Sequence, residues 1–178
     1  LLAGEQVRVE GTAPWLADAR LPEDAQARLT IHVGSDARLP SANELLIHPR
    51  SVLVAVNAAQ PELAQAVRDA LQRSAIALPS LACLLADEHD MANAALHDAA
   101  VALGVPLRFA PAQGSLAQLA LQEVPQSSPI AIGEHLAIAV ADQPLDLPGI
   151  GRPRGHLAVI GLGPGAADLM FPAVKAEM

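Results

Sequence analysis

The chain has 178 residues, 52% of them hydrophobic and 17% charged, which excludes intrinsic disorder and supplies the apolar material for a packed core. A formal net charge of −8, with Lys175 as the single lysine, leaves no basic stripe for nucleic acid or an anionic membrane surface. One cysteine, Cys83, excludes an intrachain disulfide, and no apolar run reaches the roughly 18 residues of a membrane span, so a cytoplasmic protein is expected.

Residues 6–10 alternate apolar and polar and predict a short strand. Two prolines, Pro14 and Pro22, surround Trp15 and Leu16 in a turn-rich stretch with a short helical piece. Residues 28–33 and 44–47 predict two more strands, so residues 1–50 read as a β-rich lead segment. Residues 51–56 are continuously apolar, the pattern of a strand covered on both faces. Pro61 then opens a helix whose apolar positions Leu63, Ala66, Val67, Ala70 and Leu71 share one face. A strand follows within residues 78–84, then a helix over 91–103, capped by Asp87 or Asp90 and ended by Gly104. Residues 107–110 predict a strand and 115–122 a short helix, and residues 130–132 and 136–141 a hairpin across Gly133 and Glu134.

Alternating strands and helices over residues 51–141 predict an α/β domain, a small layered mixed sheet with flanking helices. With Trp15, Phe109 and Phe171 as the only aromatics, its core must be aliphatic, with small side chains that let helices approach closely. Residues 142–155, with Pro144, Pro148, Gly149, Gly151 and Pro153, have linker composition. Residues 156–178 open on an apolar strand at 157–160 that runs into Gly161, Gly163 and Gly165. A strand feeding a glycine turn brings backbone amides up to a ligand. One strand cannot bury a core of its own, so this end is expected to be the truncated start of a further domain.

The glycine turn also satisfies G-x-G-x-x-A, so a nicotinamide-dependent enzyme beginning at Leu157 is one reading, against which Pro172 would break the required helix. The strand with Gly161-Leu162-Gly163-Pro164-Gly165 and Asp168-Leu169-Met170 resembles the opening of the tetrapyrrole methyltransferases. That resemblance implies S-adenosylmethionine as cofactor in the intact protein, with Gly161, Gly163, Pro164 and Gly165 at its cleft. Phe171 stands where that family has threonine. Upstream, residues 1–7 resemble a segment inside the cobalamin biosynthesis G-type proteins. Residues 52–109 resemble the C-terminal domain of those proteins, which also occurs alone as the E-type protein. The local matches are Ala86-Asp87-Glu88 and the run from Leu103 through Gly104, Val105, Pro106, Leu107 and Arg108 to Phe109.

The two resemblances together imply a cobalamin biosynthesis G/E-type domain fused ahead of a precorrin-3B C(17)-methyltransferase. The implied partners are a precorrin or other corrinoid and further enzymes of the pathway, with neither nucleic acid nor membrane. The family's glycine loop is replaced here by Val56-Asn57-Ala58-Ala59 and its lysine by Leu85. The G/E-type domain is therefore expected to lack catalytic residues; the alternative is a corrinoid-binding or docking module without enzyme activity. Asp87 and Glu88 are the candidate ligand-binding residues. Asp87, Glu88, His89 and Asp90, with His97 and Cys83 nearby, raise a metal reading, but a helix from Asp90 would place His97 about 10 Å away, and a cap with solvated acids is preferred. Glu134 and His135 are expected to be exposed, Ser127 and Ser128 lack a nucleophile turn, and Cys83 reads as a core residue.

Overall fold

The computed structural model describes residues 4–127 and 129–154. They form a mixed α/β fold with two sheets. The lead segment holds three strands, β1 (Val7–Glu10), β2 (Leu29–Val33) and β3 (Glu44–Ile47), in that spatial order and parallel throughout. Period-two alternation sends Val7, Val9, Leu29, Ile31 and Val33 to one face, where they pack with Leu16, Leu21 and Ile47. The opposite face carries Arg8, Glu10, Thr30, His32 and Glu44, which the parallel register sets side by side. Arg38, from the loop after β2, folds back over this face and pairs with Glu44, while its Nη1 lies 3.3 Å from the His32 ring. Gly11, at φ +104°, is required after β1, because a Cβ there would stand 2.0 Å from the Val33 carbonyl oxygen.

The larger sheet contains β4 (Val52–Val56), β5 (Leu81–Asp87), β6 (Leu107–Ala110), β7 (Ile130–Ile132) and β8 (Leu136–Val140), in the order β6-β5-β4-β8-β7. The first three are parallel, and the β7–β8 hairpin adds antiparallel to β4. α1 (Leu63–Arg73) and α2 (Ala94–Leu103) carry the β4–β5 and β5–β6 crossovers on the same face, as strands added in one direction require. α3 (Leu116–Glu123) covers the other face. Val52, Val54 and Val56 point to α1 and α2, while Leu53 and Ala55 point to α3, so every residue of β4 is buried. Alanines at Ala55, Ala86, Ala100, Ala120 and Ala137 keep the three layers close, as the shortage of aromatics demanded.

Two helix starts differ from the sequence reading. α2 begins at Ala94, where the Asn93 side chain accepts from Ala95 N at 2.9 Å; Asp87 instead caps a single 3-10 turn, Glu88–Asp90. β5 runs on to Asp87, so the chain first turns out of the sheet through Glu88–Asp90 and the helix starts only after Asn93. α1 begins at Leu63, with Glu62 in the left-handed region at φ 47°, so Pro61 precedes the helix rather than opening it. Gly104 ends α2 at φ 67° as expected, and Ser115 forms a full capping box with Gln118 at the start of α3.

The Pro/Gly-rich stretch after β8 is folded onto the domain. Leu145 N donates to Arg50 O, a 3-10 turn spans Leu147–Gly149, Ile150 is buried against the α3 face, and Arg152 exchanges two backbone bonds with Phe109 at the β6 edge. Composition reads such a segment as a tether because it registers the prolines and not the distant donors and acceptors that hold its backbone. Asp36 and Ile76 form an antiparallel bridge that joins the loop after β2 to the loop after α1. No helix among the described residues is long and apolar enough to cross a membrane.

Candidate binding cleft

The carboxyl ends of β4, β5 and β6 meet at a half-open cleft of about 470 Å³. Its position follows from topology: α1 and α2 leave the parallel strands toward one face and α3 toward the other, so the loops diverge and open a crevice. Asn57 follows β4, Asp87 ends β5, Gly114 and Ser115 follow β6, and Glu134 comes from the β7–β8 turn. Asn57 N donates to His135 O at 3.0 Å, which holds that turn against the end of β4.

Each of the three loops after a parallel strand uses a side chain to fix itself. Asn57 Oδ1 accepts from Ala59 N at 2.8 Å. Asp87 Oδ1 accepts from His89 N at 3.1 Å and lies 2.8 Å from the His89 Nδ1. Ser115 Oγ accepts from Gln118 N at 3.3 Å, while Gln118 Oε1 accepts from Ser115 N at 2.8 Å. Gly114 has φ +135°, a conformation that favours glycine, and the Gln118 amide stands where its Cβ would lie.

The lining is acidic: Asp87, Asp90 and Glu134 contribute carboxylates, and the described lining residues include no lysine, arginine or histidine. Partial burial pushes the Asp87 carboxyl upward, but the His89 N–H, the His89 ring and the Ala112 N–H together hold it below the ordinary carboxylate range. His89 moves the other way, raised above the ordinary imidazole value by its hydrogen bond to Asp87 and then by the charge of Asp87.

The structure divides the two acids singled out from sequence. Asp87 lines the cleft, whereas Glu88 turns outward and pairs with Arg152 at 2.7 Å. Cys83 lies in the middle of β5 facing α3, and burial pushes its thiol up to about 12. The His97 ring sits 6.0 Å from the Phe109 ring, its Nε2 3.0 Å from Met91 O. These groups do not converge, and among the described residues no three His, Cys, Asp or Glu side chains gather as a metal set. Ser127 is buried with its Oγ donating to Val124 O. Glu134 is exposed as expected; His135 is half-buried, with Nδ1 buried and unpartnered among the described residues. Gly161, Gly163, Pro164 and Gly165 lie outside the described residues.

Asn57, Ser115 and Glu134 were not singled out for the site from sequence. The usable signal was a polar residue directly after an apolar strand, which marks Asn57, and a capping box at the start of a helix, which marks Ser115. A wider groove of about 710 Å³ lies between α1 and α2, but alanines dominate it and its Arg68 is engaged with Ala102 O at 2.7 Å.

No protein-family model matches the chain, and no curated protein does. A solved structure, a cobalamin biosynthesis protein G homolog from Sulfolobus solfataricus, is similar to it with a TM-score of 0.35 and 12% identity. The similarity covers 79% of this chain and 51% of that one, so the chain spans about half the length of that protein.

Proposed function

We propose that the described domain is a non-catalytic module of a corrin-pathway protein, which holds or docks a corrinoid-bearing component at the cleft. The family resemblance of residues 52–109 supplies the pathway. The observation that carries the non-catalytic reading is the commitment of Asn57, Asp87 and Ser115 to their own loops. A nucleophile or general base needs its reactive atom free and within hydrogen-bond reach of a partner that activates it or of substrate. Here those atoms shape the rim instead. Burial leaves Leu85, at the position of the family's lysine, with no access to the cleft.

The cleft volume falls within the range of about 300–1,000 Å³ usual for small-molecule sites. Its carboxylates favour the hydrogen-bond-donating parts of a ligand, such as side-chain amides, and repel peripheral carboxylates. In this reading S-adenosylmethionine and precorrin methylation belong to the intact protein and to the turn at Gly161, Gly163, Pro164 and Gly165. Other enzymes of the pathway are the partners to which a held corrinoid would pass.

Titration of the chain with a cobalt corrinoid, followed by visible absorbance, tests the proposal. The expected result is a saturable shift with the corrinoid recovered unchanged, weakened at least tenfold by Asp87→Ala. Absence of a shift overturns the holding role, and a new corrinoid product overturns the non-catalytic one.

A further inference from the structure

We infer that residues 145–154 are a rigid mount, locked in one orientation against β6 and the end of α3. Three independent sets of contacts meet there. Arg108, on β6, donates from Nε to Ile150 O at 2.7 Å and from Nη2 to Gly151 O at 3.0 Å. Glu123, the last residue of α3, accepts from Gly151 N at 2.7 Å. Phe109 and Arg152 then exchange backbone bonds of 2.8 and 2.7 Å. The polar groups of two layers thus grip one short stretch of backbone from both sides, with Ile150 buried beneath it.

Gly151 is shaped for this grip. Its φ is +40°, and a Cβ would stand 2.5 Å from Phe109 O, so the segment lies against β6 closer than any side chain would permit. Bonds of this kind satisfy the N–H and C=O of Phe109 on the outer edge of the sheet, which an unattached tether would leave open. Beyond this point Arg152 pairs with Glu88, and Arg154 Nη1 lies 3.3 Å from His97 Nε2 on α2. Glu88 adjoins Asp87 in the cleft rim, so this segment and the cleft are attached to one loop. Residues 152–154 are consequently held in fixed register with the cleft.

Backbone amide relaxation and hydrogen exchange of the full chain test the inference without any ligand. Order parameters for residues 150–152 should match those of β6, near 0.85 on the usual scale for rigid backbone, and values below about 0.6 overturn it. Arg108→Ala should speed exchange of the Arg152 amide about tenfold while leaving β4 and β5 amides unchanged. Glu123→Gln, which keeps the shape of the site, should speed it about threefold and decides the matter if Arg108→Ala does not fold. An Arg152 amide indifferent to Glu123→Gln overturns the grip.

Discussion

The two sheets share parallel pairing but reach it by different means. In the larger one, helices cover both faces, and β4 and most of β5 are buried along their length. The lead sheet has one apolar face, and its other face is closed over by Arg38 and a row of ion pairs. Parallel sheets without helices on both sides are unusual, because their side chains on the open face must meet water. Here the open face is made polar, and the loop after β2 supplies the cover that a crossover helix supplies elsewhere. Covering by layers yields a core that resists change; covering by charges yields one sensitive to pH and salt.

The largest effect that can break this comparison is a cavity in each core. Leu84→Ala, at a fully buried position, should cost about 2–5 kcal/mol in urea denaturation. Ile31→Ala, packed from one side, should fall at or below the lower end of that range; equal losses would dissolve the distinction. Gly11→Ala should cost about 1–3 kcal/mol, since the new methyl meets the Val33 carbonyl and the backbone stays in a left-handed region. A loss no greater than that of an exposed alanine substitution would mean the β1 exit can shift freely.

Acid sharpens the contrast. Asp36 is held below the ordinary carboxylate range chiefly by its hydrogen bond to His32. A depressed folded pKa gives stability that is present above the ordinary carboxylate value and lost as pH falls through the lower folded one. The lead sheet should therefore loosen on acidification, modestly because Asp36 is half-exposed, and Asp36→Asn should flatten that part of the pH profile. The smallest effect concerns His89. Its raised pKa should return toward the ordinary imidazole value in Asp87→Asn, read by ring proton shifts, with stability nearly unchanged because the ring is exposed. The sign is fixed: whatever the pair contributes through His89 is present at lower pH and lost as pH rises through the folded value.

Local pattern carried most of the fold. The strands now seen at Glu44–Ile47 and Leu107–Ala110 coincide with their expected bounds, because short apolar runs between turn residues leave little choice of register. The hairpin of β7 and β8 and the short helix expected over 115–122 were equally local. What escaped depended on partners distant in sequence. Residues 142–155 read as a linker because Arg108 and Glu123, which grip the stretch at Gly151, lie 43 and 28 positions from that residue. The cleft was legible only at Asp87, since Asn57, Ser115 and Glu134 join it through sheet order, which no single segment encodes.

The position of Trp15 has a practical consequence for any spectroscopic work. It is the only indole, the chain has no tyrosine, and it sits 42% exposed on the 3-10 turn Pro14–Ala19 beside the lead sheet. Intrinsic emission is therefore a local gauge of that sheet and silent about the larger one. Melting followed by emission watches the lead sheet, while far-ultraviolet dichroism sums the whole backbone and is weighted toward the helices on the larger sheet. Coincident curves would mark a single cooperative unit, and displaced curves would time the separate loss of each sheet.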